Sequence, residues 1–224
     1  MLRSRATTQP GAFMSDEIIF YHNPMSRARM VHWMLEEVGA PYRMEHVDLQ
    51  KGEQKQPAFL AINPMGKLPA IVHQGTVVTE TGAICTYLAD AFPAAELAPR
   101  WDEPIRGSYL RWMFFGAACV DGALIDRMLA RPVPATTSAL GYGRYEDLID
   151  TLEKAITPGP YILQDRFSAA DVYLGSQINF GMISKTLEPR AAFQNYVNLL
   201  VQRPAYKRFQ AQREQLLAQM KAAG

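Results

Sequence analysis

Strand-like patterning in this chain is confined to the stretch before about residue 80, and beyond about residue 95 no strand pattern survives. A segment that alternates strands with helices, followed by helix alone, leaves few architectures open. The expected one is an α/β layer with its own core and a helical unit packed beside it.

Within the first part, Ile18-Ile19-Phe20-Tyr21 is a short β-branched and aromatic run that predicts a buried strand, broken by Asn23-Pro24. A helix is expected from near Ser26, with Val31, Met34, Leu35 and Val38 on one face and Gly39 and Pro41 as stop signals. Residues 42–48 alternate as a second strand, and residues 58–62 read as a short helix closed by Asn63-Pro64. Residues 68–72 and 76–79 flank His73-Gln74-Gly75, a hairpin signal. Residues 81–92 read as a helix stopped by Pro93. The order is β-α-β-α-β-β-α, with mixed strand directions.

Pro93, Pro99 and Pro104 mark a linker. Ile105, Tyr109, Trp112, Met113, Gly116, Val120, Ala123 and Leu124 then follow a 3.6-residue period, which predicts one long helix to about Arg131. Tyr145, Leu148, Ile149, Leu152 and Ile156 mark the next helix. Ser168-Ala169-Ala170-Asp171 has the form of a capping box opening a helix to about Ile183. Its residues are apolar or small on most faces, as in a buried central helix. Phe193, Tyr196, Val197, Leu200 and Val201 give another helical face, and a last helix starts near Ala205. The expected division is an N-terminal extension at 1–16, an α/β domain at 17–95 and an all-helical domain at 104–220.

Residues 1–16 carry Arg3 and Arg5 and no acid before Asp16. They read as an Arg-bearing targeting segment or, preferred here, as an extension from an upstream start, with Met14 as the natural initiator. Lys+Arg is 23 against Asp+Glu 22, so charge gives no drive toward nucleic acid or an anionic membrane. No apolar run reaches the roughly 18 residues of a membrane span. Two cysteines, Cys85 and Cys119, in 224 residues suit a reducing, cytoplasmic compartment. Four histidines without ligand spacing argue against a metal site.

Chemistry concentrates at three places. Ser26 stands where a strand turns into a helix, so its hydroxyl either donates to an anion held at the helix N-terminus or serves only as a cap. At Leu68-Pro69 a proline interrupts strand pairing. A cis peptide there would free the Leu68 backbone for a peptide-like ligand, and an ordinary edge-strand proline is the alternative. Glu80-Thr81 at a helix start pairs a carboxylate with amides and a hydroxyl, which suits the head group of an α-amino acid or simple capping. Lys67 could meet a ligand carboxylate or remain a solvated lysine. Cys85 and Cys119 fall mid-helix, where nothing activates a thiol.

Taken together, Tyr21 to Arg27, Asn63-Pro64-Met65-Gly66-Lys67-Leu68-Pro69, Glu80-Thr81-Gly82-Ala83-Ile84, Ser168-Ala169-Ala170-Asp171 and Arg203-Pro204-Ala205-Tyr206 resemble the glutathione S-transferase family over residues 17–215. The resemblance implies a thioredoxin-like glutathione-binding domain, a helical domain lining a second-substrate pocket, and a cytosolic, serine-type homodimer acting in detoxification. Glutathione would be the co-substrate and a hydrophobic electrophile the other partner, with no cofactor. Carried over by position, Ser26 would donate to the glutathione sulfur. Leu68, before a cis Pro69, would pair with the cysteinyl unit. Glu80 and Thr81 would hold the γ-glutamyl head, and Lys67 would approach the glycyl carboxylate. Pro69, Ser168 and Asp171 would be structural. Met25 and the helix carrying Tyr109 and Trp112 would line the second pocket. Thr81 stands where the family often has Ser. His22 stands where the tyrosine-type classes have Tyr, and no Cys lies between Tyr21 and Arg29, which disfavours the tyrosine- and cysteine-type classes and leaves Ser26 the better candidate. Isomerase, dehalogenase or peroxidase chemistry on the same site, and a non-enzymatic interaction module, are the alternatives.

Overall fold

The computed structural model describes residues 17–223, so the expected N-terminal extension lies outside the described residues. Strands β1 (Ile18–His22), β2 (Tyr42–His46), β3 (Ala70–His73) and β4 (Thr76–Thr79) form one sheet in the order β2-β1-β3-β4. β1 runs parallel to β2 and antiparallel to β3, and β3 turns back into β4. Gln74 and Gly75 make that turn with φ of 49° and 76°, the two positive values that a tight hairpin of this twist requires. β3 starts at Ala70, two residues later than the pattern suggested, because Pro69 has no N–H for the ladder. Helices α1 (Ala28–Val38), α2 (Pro57–Leu60) and α3 (Thr81–Ala91) complete a thioredoxin-like layer. Ile18 and Phe20 enter the main core with α1, and Tyr21 points the other way, where Phe59 of α2 meets its ring at 5.8 Å.

The remainder is helical: α4 (Arg106–Phe115), α5 (Asp121–Met128), α6 (Tyr145–Ile156), α7 (Ala169–Ile183), α8 (Ala191–Leu200) and α9 (Pro204–Ala223). Two expectations need correction. The long helix to Arg131 is interrupted by a π turn at Gly116–Val120 and ends at Met128. At the interruption Asp121 N–H reaches back five residues to the Gly116 carbonyl, which also accepts from Gln177 Nε2 at 3.0 Å. A side chain at Gly116 would begin 2.9 Å from the Tyr173 ring, so glycine is what lets α7 come this close. Second, α1 buries every residue from Met30 to Leu35 rather than one face, because it is covered by α3, α7 and α9 as well as by the sheet.

α7 is the central helix, and Asp171 anchors its start. One carboxylate oxygen accepts from Ser168 N–H at 2.8 Å and from Ser168 Oγ at 3.2 Å. The other accepts from Ile162 N–H at 2.7 Å and Tyr196 OH at 2.8 Å. Ser168 Oγ in turn accepts from Ala170 N–H at 3.3 Å. All of this is buried, so removing the carboxylate strands donors away from water. Asp171→Ala is expected to cost about 3 kcal/mol and to lower the melting temperature by roughly 6–12 °C, with Asp171→Asn costing less. Thermal melts of the three proteins check this, and an unchanged midpoint for the alanine variant would contradict it.

Candidate functional site

The loop from β1 to α1 is held rigidly by its own side chains. Asn23 is buried: its Oδ1 accepts from Met25 N–H at 3.0 Å and its Nδ2 donates to the Val47 carbonyl at 3.1 Å. From across the chain, Arg213 Nε of α9 donates to the Pro24 carbonyl at 3.1 Å. Ser26 follows, half-buried. Its Oγ donates to the Asn23 carbonyl at 2.8 Å and accepts from Ala28 N–H at 3.1 Å. The hydroxyl therefore sits at the N-terminus of α1, where unpaired amides and the helix dipole favour negative charge.

Ser26 opens on a cleft of about 380 Å³ between the sheet domain and the helices. Met25, Lys67 and Leu68 line it too. The Leu68-Pro69 peptide is cis, and Asn63 Nδ2 fixes the adjoining segment by donating to the Lys67 carbonyl at 2.8 Å.

Glu80 and Thr81 do not share this cleft. They line a second cavity of about 650 Å³ over α3 and α4. Glu80 holds φ 66°, ψ 121°, a backbone conformation that side-chain-bearing residues rarely adopt, immediately before α3. Arg27 and Asp121 border both cavities, and they are joined to each other at 2.7 Å. The expected site residues thus fall into two neighbouring groups with an ion pair between them.

Tyr109 and Trp112 are placed differently from expectation. Both are buried, and neither borders the Ser26 cleft. The other side of α4 presents Leu110, Met113 and Phe114 to the second cavity. The helical wall of the Ser26 cleft comes from α5 (Leu124, Ile125, Met128) and α7 (Gln177, Phe180). Periodicity missed this because the extra residue of the π turn shifts the helical phase by about 100° after Gly116. Arg29 also borders the cleft and was not singled out from the sequence. The thiols are remote from it: burial pushes Cys85 up to about 12, and Cys119 is also raised by desolvation.

Residues 16–90 match the family model described as glutathione S-transferase, N-terminal domain. Glutathione S-transferase GstA of Escherichia coli O157:H7 is 26% identical over 188 residues, covering 82% of this chain and 92% of that protein. Disulfide-bond oxidoreductase YfcG of Escherichia coli K12 is 28% identical over 173 residues, covering 72% and 79%. A solved glutathione transferase homolog from Sulfitobacter, with bound glutathione, superposes with a TM-score of 0.72 at 26% identity, covering 88% of this chain and 99% of that one. Residues 16–90 thus match the N-terminal domain of the glutathione S-transferases, and the architecture of the chain is that of the solved glutathione transferases.

The histidine at the end of β1, just before this loop, is held neutral by its surroundings. His22 is buried, stacked on Phe20 at 5.4 Å and edge-on to His46 at 5.7 Å. Burial first, then the neighbouring His32 and His46, pulls its pKa down to about 4. A neutral His22 in the fold against an ordinary one in the unfolded chain means stability is lost as pH falls from about 6.5 toward 4. The loss attributable to this group is about 3 kcal/mol. His22→Phe should flatten the pH dependence over that window. Urea midpoints of both proteins between pH 7 and 4 check it, with the difference between them as the readout. Parallel curves would refute the assignment.

Proposed function

We propose that this chain is a glutathione transferase that binds glutathione across the two cavities and presents its sulfur to Ser26. The observation that carries the reading is the Ser26 hydroxyl at the N-terminus of α1, facing a cleft shared with Lys67 and Leu68. The γ-glutamyl head would lie against Glu80 and Thr81, and the tripeptide would pass beside the Arg27–Asp121 pair. Leu68 would pair its backbone with the cysteinyl unit, and Lys67 would meet the glycyl carboxylate.

A free thiol titrates near ~8.5 and is mostly protonated at neutral pH. Ser26 is too weak a base to take its proton. It acts by turning its own O–H from the Asn23 carbonyl onto the thiolate, while the α1 amides add favourable potential. Lowering the thiol pKa by two units takes roughly 2.7 kcal/mol, the size of one charge-assisted hydrogen bond with a helix terminus. The thiolate then attacks an electrophilic carbon of an apolar co-substrate. Ser26→Ala is expected to bind glutathione nearly as well but to raise the pKa of the bound thiol by about one to two units, with turnover at pH 7 falling on the order of tenfold or more. Calorimetry with glutathione, thiolate absorbance against pH and conjugation rates test this together. Unchanged turnover would sink the role of Ser26, and absence of glutathione binding would sink the whole reading.

The likeness to a disulfide oxidoreductase favours a second reading, glutathione-dependent disulfide reduction at the same cleft. A disulfide substrate assayed beside an aryl halide separates the two.

The second cavity also bears on assembly. Phe114 is 70% exposed, and with Leu110, Met113 and Ala117 it forms an apolar wall beside Glu80 and Thr81. A second copy packed there would cover this wall and close the head-group site, giving a homodimer. Phe114→Arg is expected to shift the protein to monomer in sedimentation and to weaken glutathione binding by about tenfold. A variant that remains dimeric would place the interface elsewhere.

A further inference from the structure

We propose that Arg29 is the anion-binding residue of the second-substrate pocket, so that the preferred electrophile carries a carboxylate or similar anionic group on an apolar body. This rests on the glutathione reading above and adds the chemical class of the other substrate.

Arg29 projects from the first turn of α1 into the Ser26 cleft and is half-buried there. Its guanidinium lies over the Phe180 ring, 4.4 Å from the centroid. Among the described residues no carboxylate comes within ion-pair distance of it. The neighbouring cations are committed: Arg27 to Asp121 at 2.7 Å, Arg213 to the Pro24 carbonyl at 3.1 Å. Burial, Arg213 and Arg27 all disfavour the charge on Arg29, and the phenolic oxygen of Tyr206 works the other way. A charge withdrawn from water without a counter-ion is costly, and an incoming anion removes that cost.

Glutathione does not supply this anion in the proposed pose. Its glycyl carboxylate goes to Lys67 and its γ-glutamyl carboxylate to the Thr81 end, in the other cavity. Arg29 is left in a cleft whose apolar wall includes Met30, Leu124, Ile125, Met128 and Phe180. An apolar or aromatic body fits that wall, and the free edge of the guanidinium offers a fork that matches a carboxylate.

The test uses two glutathione conjugates made chemically: those formed by displacing chloride from 4-chloro-3,5-dinitrobenzoate and from its methyl ester. They differ in one negative charge. By calorimetry on the full chain, the carboxylate conjugate should bind roughly tenfold or more tighter than the ester, the size of a charge-assisted hydrogen bond. Arg29→Gln should bring that ratio to within about twofold of unity, and Arg29→Lys should leave it in between. Glutathione affinity itself reports whether each variant is folded. Should Arg29→Gln fail to fold, Arg29→Lys carries the test, and an undiminished ratio there overturns the proposal. Equal affinities in the unsubstituted protein, or a preference that survives Arg29→Gln, overturn it as well, while glutathione binding leaves the transferase reading intact. If the unsubstituted protein does not bind glutathione, the parent reading falls and this inference with it.

Discussion

The carboxylate of Glu37, at the C-terminal end of α1, is almost wholly withdrawn from water and is gripped by Arg203, whose Nε donates to Oε1 at 2.7 Å and Nη2 to Oε2 at 2.8 Å, with the Trp33 indole N–H also donating to Oε1 at 2.9 Å. Arg203 stands just before α9 and also covers the Phe167 ring at 3.4 Å. A bidentate pair of this kind fixes direction as well as distance. One turn further along α9, Arg208 holds Glu36, and Gln212 meets both Tyr42 and His32. α1 is therefore clamped along its length by a helix from the far end of the chain. The Pro24 carbonyl, held by Arg213, lies at the end of this clamp. The position of Ser26 is thus set by residues nearly two hundred positions away.

The opposite wall of the cleft depends on α7. Its start is fixed by the buried Asp171 network, and its middle reaches the π turn through Gln177 and Tyr173. Those contacts decide which residues follow Gly116 toward the cleft, because the π turn rephases α5 relative to α4. Asp121 is the first residue after the turn, and it meets Arg27, the residue beside Ser26. The ion pair that separates the two cavities is therefore a product of the same irregularity that builds the α5 wall.

The fold was legible because its signals are local. β-branched runs, a hairpin with Gly75 at its turn, Gly39 and Pro41 after α1, and the Ser168–Asp171 box each specify structure within a few residues. The main cleft residues Ser26, Lys67 and Leu68 could be named for the same reason: a strand-to-helix turn and an interrupting proline are short-range features. What could not be read was anything requiring a partner distant in sequence. The all-round burial of α1 needs α9. The π turn needs Gln177 to reach the Gly116 carbonyl, and without it Tyr109 and Trp112 seem to continue one face into the cleft. Nothing local to Arg29 marks it, and only the packing of Phe180 beneath it and the absence of a nearby acid among the described residues set it apart.

The charges bordering the Ser26 cleft do not cancel. Arg27 is neutralised by Asp121, which leaves Lys67 and Arg29 as positive groups around a space walled mainly by apolar side chains. Because such walls screen poorly, each cation acts on anything bound there more strongly than it would in water. In the proposed reaction the species to be stabilised is a thiolate, itself anionic. One hydrogen bond from Ser26 and the end of α1 would then act within a field of the same sign rather than alone. Once an anionic co-substrate neutralises Arg29, that cation contributes less to the thiolate. On the proposed reading, binding of the electrophile and activation of the sulfur would be coupled through one guanidinium. The local donor Ser26 would then have to carry the larger share of the thiolate stabilisation.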